Sequence, residues 1–265
     1  MDSLFTSLTK KDAQIATELW FNEVAKVRKE FVTSKAKTVV FHDLTSLIAA
    51  VKAKQVDFVG LPSLDFYQVK DTIPLEPLLT YTVGGHPGTV YYLLVSKDKG
   101  STSLNGLKNM RLLVQKHDEN GQLPILWLNS LLRKQGLPPA DILLRSVKKV
   151  ETASQAILPI FFKQADCCIV AREGFETSRE LNPQIGERLA VAARSQALLI
   201  GLLAVRQDLS DSLKKSVAEI AVNLASYPKG KQILTLFKIG GFRHFQSADL
   251  DSVLELIKEQ DKSKK

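Results

Sequence analysis

Short apolar runs rich in β-branched residues alternate with amphipathic segments along most of the chain, and this alternation restricts the fold more than any other feature of the sequence. Thr38–His42, Val56–Gly60, Leu75–Val83, Val90–Ser96, Met110–Gln115, Asp166–Val170, Leu189–Ala193 and Leu198–Val205 read as strands. Lys10–Phe31 opens the helical set, with Ala13, Ala16, Leu19, Trp20, Val24 and Val27 on one face and Thr9 with Asp12 as a capping signal. Asp43 caps a helix to about Lys54, and Leu64–Val69 forms a short one. An apolar helix opens near Pro124 and ends before Gly136, with proline in and glycine out. Ser154–Phe162 and Arg172–Glu180 follow, and Ser210–Ser226, Lys229–Phe237 and Ala248–Asp261 close the chain. Strands separated by helices predict βαβ units, hence an α/β fold with parallel or mixed sheets.

The longest stretch without a formal charge, Pro77–Ser96, is interrupted by Gly84-Gly85-His86-Pro87-Gly88. A spanning helix does not tolerate that break, so two strands flanking a turn are expected instead. Composition is that of an ordinary globular chain, with 45% hydrophobic and 24% charged residues over a length of 265, which suits two domains. Cys167 and Cys168 are adjacent, and neighbouring strand residues point to opposite faces, so they are expected to be buried structural thiols. No disulfide scaffold follows from them.

Catalytic and cofactor signatures are missing. His42, His86, His117 and His244 are scattered, and two adjacent cysteines do not make a zinc site. Gly230-Lys231 lacks the rest of a phosphate-binding loop, and neither a nucleophile elbow nor a dinucleotide fingerprint occurs. The chain is therefore read as a non-enzyme with no cofactor and no metal. The net charge of +8 is spread over many helices and interleaved with acids, whereas nucleic-acid binders concentrate it in a stripe, so no nucleic-acid partner is expected.

Three segments carry a resemblance. Thr152–Asn182, TASQAILPIFFKQADCCIVAREGFETSRELN, runs helix, strand opening with Ala-Asp, helix. Ser46–Phe66, SLIAAVKAKQVDFVGLPSLDF, follows the same logic. Ala204–Phe242 runs strand, capped helix, Pro-x-Gly-x-x-x-Leu helix and a Gly-Phe ending. In this order, over roughly residues 12 to 258, the chain resembles the phosphate/phosphite/phosphonate-binding solute receptors of ABC transporters. The resemblance implies the type 2 periplasmic-binding-protein fold: two α/β lobes, mixed or parallel sheets flanked by helices, and two hinge crossovers with an oxyanion held between the lobes. Mapped here, lobe 1 is residues 1–88 plus 201–265 and lobe 2 is residues 89–200, with hinges near Gly85–Val90 and Gln196–Gly201. Family members begin with a strand for which only Met1–Leu4 remains, so the first strand is expected to be a stub.

The resemblance also nominates ligand-binding residues. His117–Gln122 matches in position the family's hydroxyl-rich cradle, and Asn120, Gly121 and Gln122 retain donors although Asp118 and Glu119 have entered. The same segment also reads as an ordinary strand-to-helix turn. Thr89 stands where the family commonly has a pocket tyrosine, and Gly201 takes the place of a cleft aspartate. Glu173 matches an acid that receives a ligand amine, with Arg172 beside it as a cation for an anion; both also read as a helix-start acid and a surface base. Ser63, in Leu61-Pro62-Ser63 at a strand's carboxyl end, is a generic wall residue or a helix cap.

The reading that follows is an extracytoplasmic receptor that takes a small anionic ligand to an ABC permease. The alternative is a ligand-sensing module of the same fold coupled to a sensor kinase. The start Met1-Asp2-Ser3-Leu4-Phe5 has no export signal, so the expectation of a periplasmic protein assumes that the signal has been removed. No oligomeric state is read from the sequence.

Overall fold

The computed structural model describes residues 14, 15, 18, 37–99, 102–116, 122–237 and 239–262. The expected stub at Met1–Leu4 and most of the expected helix over Lys10–Phe31 lie outside the described residues. So do His117–Gly121, and with them the nominated Asn120 and Gly121.

In chain order the elements are α1 (Leu44–Lys52), β1 (Phe58–Pro62), α2 (Ser63–Val69), β2 (Leu75–Val83), β3 (His86–Pro87), β4 (Thr89–Ser96), β5 (Arg111–Gln115), α3 (Gln122–Lys134), α4 (Ala140–Leu143) and β6 (Ser146–Val150). They continue with α5 (Ala153–Phe161), β7 (Cys167–Ala171), α6 (Arg172–Leu181), α7 (Pro183–Arg188), β8 (Leu189–Leu198), β9 (Gly201–Arg206), α8 (Asp211–Val222), α9 (Pro228–Phe237), β10 (Gly241–His244) and α10 (Asp251–Lys262). This is the expected α/β architecture with two sheets.

The chain divides into two units. The first holds the described residues up to Gly88 together with Leu199–Asp249, and the second holds Thr89–Leu198 with the chain from Leu250. The sequence reading assigned the last helix to the first of these; in the structure α10 packs within the second. Ser252 Oγ donates to the Ala197 carbonyl at 2.9 Å, and Lys134 on α3 pairs with Glu259 at 3.0 Å. Ser130 and Arg133 also bond to Glu259. Val253, Leu256 and Ile257 of the same helix are buried.

In the first unit the sheet order is β1-β9-β2-β10, with β3 beside β2. Every pairing among its described strands is antiparallel, and Pro62 stands opposite Gly201. Its core joins Leu79 of β2 to Val217, Ile220 and Ala221 of α8 and to Ile233 and Leu234 of α9. Asp43 starts α1: its Oδ1 accepts the Ser46 N–H at 2.7 Å and its Oδ2 accepts the Ser46 hydroxyl at 2.8 Å. These bonds to the charged form, the backbone one foremost, hold the Asp43 carboxyl below the usual carboxylate range. Gly84, Gly85 and Gly88 all have positive φ, so the glycine-rich break lets the uncharged run leave one sheet at β2 and enter the other at β4.

In the second unit the order is β6-β5-β7-β4-β8. Here β5 is parallel to both β6 and β7, whereas β4 is antiparallel to β7 and β8. Parallel pairing is thus confined, among the described strands, to the βαβ part of this unit. Tyr92, Leu94, Ile157, Ile160, Val170 and Phe175 belong to one core cluster, and fully buried Tyr91 stacks on Trp127 with ring centroids 6.4 Å apart. Asp166 ties the starts of β5 and β7, accepting the Arg111 backbone N–H and Nε at 2.9 Å each. Cys167 and Cys168 are buried free thiols; burial, with the Asp166 charge second, pushes Cys167 up to about 12.

Several strand assignments change, among them the short strands His86–Pro87 and Gly241–His244, which were not expected. Thr38–His42 is not a strand, because the polar groups of Thr38 are met by side chains: Gln14 Nε2 donates to its carbonyl at 3.3 Å and its N–H donates to Glu18 Oε1 at 3.4 Å. The strand expected over Leu189–Ala193 runs on to Leu198, so its successor starts only at Gly201. Ser146–Val150, with Lys148 and Lys149 exposed, was not expected to be a strand. Lysines on an edge strand block further pairing, and the same lysines hide the strand in the sequence.

Candidate functional site

Three parallel strands of the second unit end level with one another, and each feeds a helix. Gln115 of β5 is in register with Val150 of β6, and Val114 with Ile169 of β7. The chain then enters α3 at Gln122, α5 at Ala153 and α6 at Arg172. Parallel strands carry their crossovers the same way, so three helix N-termini share one edge of the sheet. Helix starts present unpaired N–H groups and the positive end of the helix dipole, which favours anions.

Local chemistry fixes the starts of α5 and α6. At α5, Thr152 and Gln155 form a capping box: Thr152 Oγ1 accepts the Gln155 N–H at 3.2 Å, and Gln155 Oε1 accepts the Thr152 N–H at 3.2 Å. At α6 the N-cap residue is Ala171, which has no capping side chain. Gln115 Oε1 accepts the Ala171 N–H at 3.1 Å instead. The two starts touch, since a Cβ added to Gly174 would stand 2.5 Å from the Ala153 Cβ. Only glycine at 174 allows α5 and α6 to begin so close together.

The charges at this edge pair with neighbours. Arg172 Nη2 meets Glu173 Oε1 at 2.9 Å, and Lys116 Nζ meets Glu151 Oε1 at 2.7 Å. Glu173 Oε2 is buried without a hydrogen-bond partner among the described residues. Both cations thus face an acid before any ligand arrives.

Of the nominated residues, Gln122, Arg172, Glu173 and Thr89 fall at this edge. Gln122 is exposed at the first residue of α3. Tyr91 opposes Ala171 across the antiparallel pair, which places Thr89 beside the end of β7, and it is 1% exposed opposite Leu198. Ser63 belongs to the first unit, where its N–H donates to the Ile200 carbonyl at 2.8 Å and its hydroxyl to the Leu199 carbonyl at 2.5 Å. The sequence reading missed Gln115; its one sequence signal was a polar residue ending an apolar strand. No group of three or more His, Cys, Asp or Glu side chains able to hold a metal occurs among the described residues. Among the same residues no helix is long and apolar enough to cross a membrane.

Comparison with known proteins gives a consistent picture. Residues 5–250 match the family described as the periplasmic substrate-binding protein of the phosphonate ABC transporter. No curated protein sequence matches the chain. A Xanthomonas citri protein, solved with chloride and also with ATP, is 18% identical at a TM-score of 0.69, with 96% of this chain and 95% of that one covered. The binding-protein component of the phosphonate ABC transporter of Pseudomonas aeruginosa is 17% identical at a TM-score of 0.63, with 96% and 83% covered. PhnD1 of Prochlorococcus marinus, in complex with methylphosphonate, is 16% identical at 0.63, with 94% of each covered. At such identities these structures share the fold.

Proposed function

Because the chain belongs to the family of periplasmic substrate-binding proteins of phosphonate ABC transporters, we propose that it binds a small phosphorus oxyanion and delivers it to a membrane permease. The observation that carries the reading is the shared edge of three helix starts in the second unit, at the ends of β5, β6 and β7. An oxyanion is held well by backbone N–H groups that need no compensating charge, and ligands of open α/β sheets bind at strand ends. Arg172, Glu173 and Gln122 of that edge are the side chains we assign to the ligand, with Asn120 and Gly121, which precede α3 in the sequence. Thr89 acts beside them as a wall residue. The family places the protein outside the cytoplasm, where such a receptor works.

The amount of binding required is modest. Micromolar affinity corresponds to about −8 kcal/mol, and each hydrogen bond to a charged group contributes about 1.5–3 kcal/mol net, so several converging donors suffice. Calorimetry and melting curves with phosphate, phosphite, methylphosphonate and 2-aminoethylphosphonate test the reading. A compound present at 100 times its dissociation constant is expected to stabilise the folded chain by about 2.7 kcal/mol. If none of the four binds, the oxyanion receptor is rejected and a sensing module of the same fold becomes the better account.

A further inference from the structure

We propose that Gln115 is a specificity-determining ligand contact, donating its side-chain N–H groups to the oxyanion; this rests on the receptor reading above. Gln115 is the last residue of β5 and is half-buried. Its Oε1 is committed to the Ala171 N–H at 3.1 Å. A backbone N–H cannot bond to an amide NH2, so this contact fixes which way round the amide stands. The Nε2 group is therefore turned away from Ala171 with two donors, and it makes no hydrogen bond among the described residues.

The place to which those donors belong is the meeting point of two helix starts. The position of a Gly174 Cβ lies 2.5 Å from the Ala153 Cβ and 3.7 Å from Gln115 Oε1. One side chain thus stands beside the first turns of both α5 and α6. The cations nearby, Arg172 and Lys116, are engaged by Glu173 and Glu151. A neutral amide donates to an anion without first parting from a carboxylate, and its two N–H groups suit an unprotonated oxygen over a hydroxyl that needs an acceptor. Gln115 does two jobs with one group: the oxygen sets the start of α6 and the nitrogen faces the ligand.

Two substitutions test these jobs, the first by separating them. Gln115→Glu keeps an oxygen for the Ala171 N–H and replaces the donor pair with a second carboxylate oxygen. Calorimetry with methylphosphonate and phosphate is expected to show binding at least a hundredfold weaker, with a melting temperature close to that of the unchanged protein. Gln115→Met has similar length and no charge, and is expected to bind about ten- to a hundredfold more weakly, the loss of a hydrogen bond to a charged acceptor. Unchanged affinity in Gln115→Glu overturns the proposal and leaves Gln115 as a clamp on Ala171 alone. If Gln115→Glu fails to fold, Gln115→Met decides: a tenfold loss with unchanged amide protection at the start of α6 supports the contact, whereas unchanged affinity, or a loss that comes with weakened protection there, overturns it. Absence of oxyanion binding by the unchanged protein sinks the receptor reading itself, and the contact with it.

Discussion

At Gly230 a single missing carbon holds a helix pair together. A Cβ there would lie 1.8 Å from the Leu224 carbonyl oxygen and 2.8 Å from its carbon, both backbone atoms that no rotamer change can move. In an unhindered helix, exchanging glycine for alanine stabilises by about 1 kcal/mol. Here overpacking costs about 1–3 kcal/mol or more and reverses the sign. Gly230→Ala is therefore expected to lower the urea midpoint with little change in the slope, and an unchanged or higher midpoint refutes the contact. The Pro-x-Gly pattern was plain in the sequence; that the glycine serves the Leu224 carbonyl was not, because that atom belongs to the turn of chain before the helix.

At the scale of the element, α1 depends on one carboxylate. The Asp43 carboxyl is lowered by its bonds to Ser46, so it favours the folded state above the ordinary carboxylate pKa of about 4 and loses that effect as pH falls through its folded-state value. Asp43→Asn keeps a side-chain oxygen for the cap but cannot titrate. The gap in melting temperature between the two proteins is expected to be widest near neutral pH and to close in acid. A gap that does not vary with pH contradicts this. The rest of the acid sensitivity has other sources, since the carboxyls of Asp98, Asp208 and Glu259 are also lowered, chiefly by Lys163, Lys54 and Ser130 respectively. Asp43 was legible as a cap because capping acts within three residues. By contrast Ser146–Val150 was not legible as a strand, since its pairing with Arg111–Gln115 acts across a long stretch of chain.

On the whole-molecule scale the chain passes between its two units three times, at Gly88, at Leu198 and again at Asp249. The third passage delivers α10 to α3 and β8, with Glu259 bonded to Ser130, Arg133 and Lys134. Burying Val253, Leu256 and Ile257 contributes about 1.5–3 kcal/mol each relative to exposure. A chain ending at Asp249 is expected to lose amide protection in α3 and β8 while β2 and β9 keep theirs, as hydrogen exchange would record. Loss centred on β2 and β9 would instead assign the helix to the first unit.

The sequence by itself determined the α/β class, most strands and helices, and the family, because periodicity, caps and glycine breaks act over a few residues. It also put Arg172, Glu173 and Gln122 at helix starts following strands, where an anion is welcome. Only the tertiary structure decided what each group faces. It set Arg172 against Glu173, gave Thr38 to Gln14 and Glu18 in place of a sheet neighbour, and brought Ala153 against Gly174. It also turned the Gln115 oxygen to Ala171, far along the chain. A side chain's chemistry is written in its own letter, but its partner is chosen by packing between segments that no local pattern connects.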